Sequence, residues 1–336
     1  KAANRFPAEV SREFNREIFE ATQDLEVKAC SAVGLYRDDP ERLFAVIQAM
    51  LGSGELAERR AGVVAAGESG NEVFIATLRE MIPKETDPSI LSVIFRSLRQ
   101  LKDSDLNDVL RSYFTDPSDL IRLAALEAFD IQDDQGLLAV IGFIGDPFQE
   151  ISTKAMEKIQ NGAYQNPLVL VESLNIPRRK VRDGLFQILE KLNIKNLDFF
   201  RFARSQVEKS YLFFAEVEAL QKLPESPERD LLMDHLTQER KTKVENILRV
   251  LSIQDTSGQM RIIWRGLSSP DSRRRSNSIE ALSDILDKTL GKILVPLLEE
   301  MPSEERLRIG RKHFSLPDAG GSPAALVSRF LTEADW

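Results

Sequence analysis

Histidine and cysteine are nearly missing from this chain: its 336 residues include two His and one Cys. His235 and His313 stand far apart, and neither belongs to a His-Glu-x-x-His arrangement or a His-Glu repeat. A zinc site needs several His or Cys ligands, and a nucleophile needs a base beside it, so spacing identifies no catalytic set, no metal site and no cofactor site. One cysteine cannot form an intramolecular disulfide and suits a reducing compartment. Cys30 lies in the apolar-periodic stretch 27–33, which leads us to expect a small core residue rather than a reactive thiol.

Glycine and proline are sparse, at 17 and 15 residues, and the apolar residues recur at helical spacing rather than alternating. Sheets are therefore not expected. No run of about 18 uncharged apolar residues exists to span a bilayer, and residues 1–7 lack the apolar stretch of a signal peptide. The sequence does not open on Met, from which we expect a piece of a longer polypeptide. Phosphate loops fail as well: Gly52-Ser53-Gly54 lacks a third glycine, and Asp318-Ala319-Gly320-Gly321-Ser322 lacks the lysine that would reach a phosphate. Basic residues are outnumbered 45 to 53, and the net charge of −8 disfavours general nucleic-acid binding.

What the chain does have is a repeat. Asp-Pro pairs recur at Asp87-Pro88, Asp116-Pro117 and Asp146-Pro147, with Pro177 and Pro270 in related settings, at intervals near thirty residues. Asp is expected to cap a helix and Pro to take its first position, where a missing N–H has no partner to lose. Positions four, eight and twelve after the Pro are then apolar: Ile121, Ala125 and Phe129; Ile151, Ala155 and Ile159; Val181, Leu185 and Leu189. After Pro88 the same frame appears shifted by two, at Ile90, Ile94 and Leu98. Short amphipathic segments at 71–82, 106–114, 137–144 and 167–174 lie between these helices, making each unit helix, turn, helix.

Neither helix of a pair can bury its stripe alone, so the expected fold is all-α, an α-solenoid (superhelix) of stacked pairs. We expect helical repeats over 1–194, less regular in the segments 9–37 and 41–67, a long helical hairpin over 195–254, and further repeats over 255–336 cut before the last pair is complete. The hairpin holds Phe199, Phe200, Phe202, Phe213 and Phe214, read as a thick local core or, alternatively, a partner groove.

Two basic clusters, Arg178-Arg179-Lys180 and Arg273-Arg274-Arg275, follow a Pro at helix starts, where the macrodipole disfavours cations. They are candidate contacts for an acidic surface, phosphate or anionic headgroups; the plainer reading is a solvated helix face.

The run Arg275-Ser276-Asn277-Ser278-Ile279-Glu280-Ala281-Leu282, followed by Ile293-Leu294-Val295-Pro296-Leu297-Leu298-Glu299, resembles HEAT-like regions of large bacterial membrane proteins. In those proteins the repeats join a nucleotide (ADP/ATP) translocase-like transmembrane domain to a cyclic-nucleotide-binding domain. The resemblance covers about 258–336 and is architectural before that. It implies HEAT-like repeats forming a cytoplasmic linker, tethered to the inner membrane through a transmembrane domain outside this sequence, and it supplies no catalytic residue. Transport and cyclic-nucleotide binding would reside elsewhere in the polypeptide. The expected function is a non-enzymatic scaffold for protein partners or adjacent domains of the same polypeptide, with no small-molecule substrate and no direct membrane insertion. One alternative is a nucleic-acid-binding HEAT-like protein; another is a HEAT-like enzyme, resembling the bilin lyases or the diiron hydroxylases, the latter needing His-Glu pairs that this chain lacks.

Overall fold

A computed structural model describes residues 8–194, 197–255 and 257–316. Every regular element among the described residues is a helix, eighteen in number. The Gly-rich loop and terminal helix expected at 318–336 lie outside the described residues. The chain divides into two compact units, Lys1–Tyr164 and Gln165–Trp336.

The first unit contains α1 (Ala8–Ala21), α2 (Leu25–Leu35), α3 (Pro40–Leu51), α4 (Leu56–Ser69), α5 (Phe74–Met81), α6 (Pro88–Gln100), α7 (Leu106–Arg111), α8 (Asp119–Ala128), α9 (Asp134–Phe143) and α10 (Gln149–Asn161). The even-numbered helices pack side by side in chain order, α2 on α4, α4 on α6, α6 on α8 and α8 on α10, and each odd-numbered helix covers its own partner. This is the stacking of helix pairs that the thirty-residue period predicts. Close approach is written into the sequence at Gly67 of α4, where a Cβ would lie 2.7 Å from Ser97 Oγ of α6. Ser97 Oγ donates across the crossing to the Val63 carbonyl at 2.9 Å.

The frame of the repeat is the N-cap residue, not the proline. Asp87, Ser118 and Phe148 cap α6, α8 and α10, and positions three, seven and eleven beyond each are Ile90, Ile94, Leu98; Ile121, Ala125, Phe129; and Ile151, Ala155, Ile159. All are buried, between 0% and 7% exposed, each large side chain contributing about 1.5–3 kcal/mol. The apparent shift of two in the first repeat disappears. Only Pro88 takes the first helical position expected of all of them; Pro117 and Pro147 sit outside their helices, one residue before the cap. The role expected of Asp is corrected likewise. Asp87 does cap, accepting from Ser89 N at 2.8 Å, but Asp116 and Asp146 fold the turn ahead of the helix, accepting from Ser118 N at 2.8 Å and Phe148 N at 2.9 Å.

A second correction concerns Cys30, which is exposed on α2. The buried residues of α2 are Ala29, Ser31 and Ala32, so the helix turns Cys30 away from the packed face. Partial desolvation and the nearby Glu68 and Glu26 carboxylates push its thiol pKa up, which keeps it protonated and unreactive.

The second unit contains α11 (Pro167–Ser173), α12 (Arg179–Leu192), α13 (Phe200–Leu220), α14 (Pro227–Gln254), α15 (Gln259–Leu267), α16 (Ser272–Ile285), α17 (Lys288–Leu298) and α18 (Ser303–His313). α12 continues the frame from its cap Arg178 with Val181, Leu185 and Leu189, all buried. The long hairpin is α13 against α14, of 21 and 28 residues. Phe199, Phe202 and Phe214 are buried, and neither Phe200 nor Phe213 is exposed, so the phenylalanines form core rather than an open groove. Ala203, Val207 and Tyr211 of α13 join Ile247, Leu248, Ile263, Leu282 and Leu294 in one cluster, and the Tyr211 hydroxyl donates to the Ile293 carbonyl at 3.0 Å. α17 runs through Pro296 to Leu298.

Candidate interaction surface

The fourth residue of a second helix decides what several of the arginines do. Arg59, Arg122 and Arg275 each stand four after an N-cap and donate from Nη1 to two carbonyls of the turn just before the helix: Ser53 and Gly54, Asp116 and Pro117, Ser269 and Pro270. The rest of each guanidinium reaches a carboxylate 26, 24 or 25 residues later, Glu85, Asp146 and Glu300 respectively. Where Ser152 takes this place in α10, its hydroxyl donates to the Ile144 carbonyl at 2.7 Å. Arg182 is the same residue in α12, its Nη1 3.4 Å from the carbonyls of Ile176 and Pro177, but its Nε is buried without a hydrogen-bond partner.

The six basic residues expected to make contacts therefore fall into two kinds. Arg275 is engaged within the fold, its Nη2 2.6 Å from Glu300. Arg178 is the exposed N-cap of α12, and Arg179 and Lys180 open that helix, also exposed. Arg179 lies 3.6 Å from Asp183 one turn on, with its side chain 84% exposed, so the pair is worth little in water. Arg273 and Arg274 are exposed in the first turn of α16, with Arg274 3.9 Å from Asp271.

Two of the open grooves among the described residues combine an apolar wall with a charged rim. In the first unit a cavity of about 430 Å³ lies between α6 and α8; Leu120, Leu123, Ala124 and Ala128 supply apolar wall, and Arg96, Arg99 and Glu127 the charges. Leu120 is 58% exposed there. Arg99 donates to the Glu127 carbonyl at 2.5 Å and pairs with Asp130 at 2.7 Å. Lys158 of α10 donates to the same carbonyl at 3.1 Å. These two cations neutralise the C-terminal end of α8, which carries no basic residue in its own last turn. Burial, then the neighbouring Arg99, pushes the Lys158 pKa down to about 8. In the second unit a groove of about 460 Å³ beside α16 and α17 has apolar Ile279, Val295 and Leu298 under Glu280, Asp284, Glu299 and Glu300. Among the described residues no group of three or more His, Cys, Asp or Glu is placed to hold a metal ion, and no helix is long and apolar enough to cross a membrane.

Neither groove was found by sequence reasoning, because Leu120 is the immediate neighbour of core Ile121 and Ile279 is itself buried, so apolarity alone marks neither as an open wall. The recurring arginine was visible, five residues after Pro117, Pro177 and Pro270, but a search for runs of charge passes over single charges in register. No protein-family model matches the chain, and no curated protein is significantly similar to it.

Proposed function

We propose that this chain is a non-enzymatic helical-repeat scaffold that holds another protein or an adjacent domain of its own polypeptide. The observation carrying this reading is the groove between α6 and α8, where a second-helix layer leaves Leu120 open to solvent beside a cavity of about 430 Å³. Apolar surface exposed in a shaped groove costs stability in isolation and is recovered when a partner covers it. Repeat stacks of this kind present extended faces to their partners. The resemblance of the C-terminal quarter to HEAT-like linkers adds the context of a cytoplasmic element tethered through a transmembrane domain elsewhere in the polypeptide.

The test is affinity capture with the chain as bait from a lysate of its source, with and without nuclease. Retention of a discrete protein that survives nuclease supports the scaffold. The second reading, nucleic-acid binding, draws on the exposed Arg178, Arg179, Lys180, Arg273 and Arg274; recovery that vanishes with nuclease would favour it.

A further inference from the structure

We propose that the groove between α6 and α8 receives a peptide segment carrying aliphatic side chains and one carboxylate, which meets Arg96. This rests on the scaffold reading and adds the chemistry of the partner. The wall formed by Leu120, Leu123, Ala124 and Ala128 calls for aliphatic groups, and the cavity has the size of an ordinary ligand site.

The charges on the rim select the polar part. Arg99 and Lys158 are occupied at the end of α8, and Arg99 also answers Asp130. Arg96 shares the rim, is exposed, and among the described residues has no ion-pair or hydrogen-bond partner. A carboxylate arriving there displaces no existing contact. A polyanion fares worse, because Glu127 on the same rim and Asp130 beside it repel a second and third phosphate. One acid on an apolar stem fits this charge pattern; nucleic acid and a headgroup layer do not. The groove of the second unit, where Glu280, Asp284, Glu299 and Glu300 outnumber Arg275, itself paired with Glu300, has the opposite sign and should refuse the same segment.

The probe is a fluorescein-labelled peptide, Gly-Ser-Leu-Ala-Glu-Leu-Leu-Ser-Gly, with two companions in which Glu is Gln or Lys, titrated into the whole chain and read by anisotropy and by methyl NMR. Binding is expected to shift the methyl signals of Leu120 and Leu123, with the Glu peptide about two- to fivefold tighter than the Gln peptide, the upper range of what one exposed ion pair supplies. Arg96→Glu should reverse the preference in favour of the Lys peptide, and Leu120→Asp should weaken all three. Both residues are exposed, so circular dichroism of the variants should match that of the parent. Equal affinities for the Glu and Gln peptides, an unchanged preference in Arg96→Glu, methyl shifts that avoid the groove, or no binding at all would overturn the proposal. So would oligonucleotide or phosphatidylserine vesicles that outcompete the peptide and lose their grip in Arg96→Glu. If capture retains a nuclease-resistant protein while the peptides ignore the groove, the scaffold stands and this inference falls. If the peptides bind as expected and capture retains none, the groove chemistry stands without the scaffold.

Discussion

Arg122 and Arg182 occupy the same place in two repeats, four residues past an N-cap, and meet opposite fates. Arg122 gives Nε and Nη2 to the two oxygens of Asp146 at 2.8 and 3.1 Å, and both residues are buried. That pairing raises the arginine's pKa. Arg182 is equally buried, but burial dominates and lowers its pKa, because no carboxylate has joined it. The residue 24 positions beyond Arg182 is Gln206, which bonds Asn175 at 3.4 Å and Asn246 at 3.3 Å instead. The cause lies one level down. Asp146 stands in the turn that ends a period of thirty, whereas position 206 falls inside α13, where a long helix has replaced that turn. Where the period holds, one repeat is tied to the next by charge; where the hairpin interrupts it, a cation stays desolvated and the buried amides of Gln206 and Asn246 take over.

The sharpest way to break this comparison is Asp146→Ala, which leaves the Arg122 guanidinium buried and alone. A loss of about 3 kcal/mol is expected from breaking a buried pair on one side, measured by urea unfolding, with Arg122→Met/Asp146→Leu recovering most of it. Arg182→Met should act in the other direction, neutral or stabilising by about 1 kcal/mol, since a group with no acid to lose is replaced by one of similar bulk that prefers the interior. A cost as large as that of Arg122→Met would end the distinction between the two sites. Next in size, Asp87→Ala should cost about 1 kcal/mol through the lost cap of α6, and Ser118→Ala close to nothing, because Ser118 makes no side-chain cap bond.

Lys158 is a second desolvated cation, in the first unit. Its folded pKa of about 8 lies below its unfolded value, so the unfolded chain holds more protons between those two pH values. Stability from this residue is therefore lowest below pH 8 and recovers as pH rises from about 8 toward the ordinary lysine range near 10.4. Against Lys158→Met, the parent should gain relative melting temperature over that window; a flat difference would mean the amine is solvated.

Sequence periodicity located the helices because burial of one face is what forms them. The short segments expected at 106–114 and 167–174 begin where α7 and α11 begin. The placement of Pro was misjudged for a physical reason: its fixed φ suits both the first helical position and the residue before the cap, and the identity of Ser118, Phe148 or Arg178 as the cap depends on backbone angles that composition does not reveal. Cys30 was misjudged because it neighbours buried alanines, and one residue is a 100° turn of the helix. Of the six candidate contact residues, Arg275 turned out to hold a turn together, and the grooves stayed hidden because exposure of Leu120 is set by the spacing of α6 and α8, not by its own apolarity.

The most direct test of the scaffold is photo-crosslinking in the source cells, with benzoylphenylalanine at position 120 and, as a control, at position 262, where Ile262 is 72% exposed on another helix. A discrete protein adduct from position 120, weakened by Arg96→Glu and absent from position 262, is the expected result. Adducts to nucleic acid, or no adduct from position 120 while position 262 yields one, would contradict a partner held in the groove between α6 and α8.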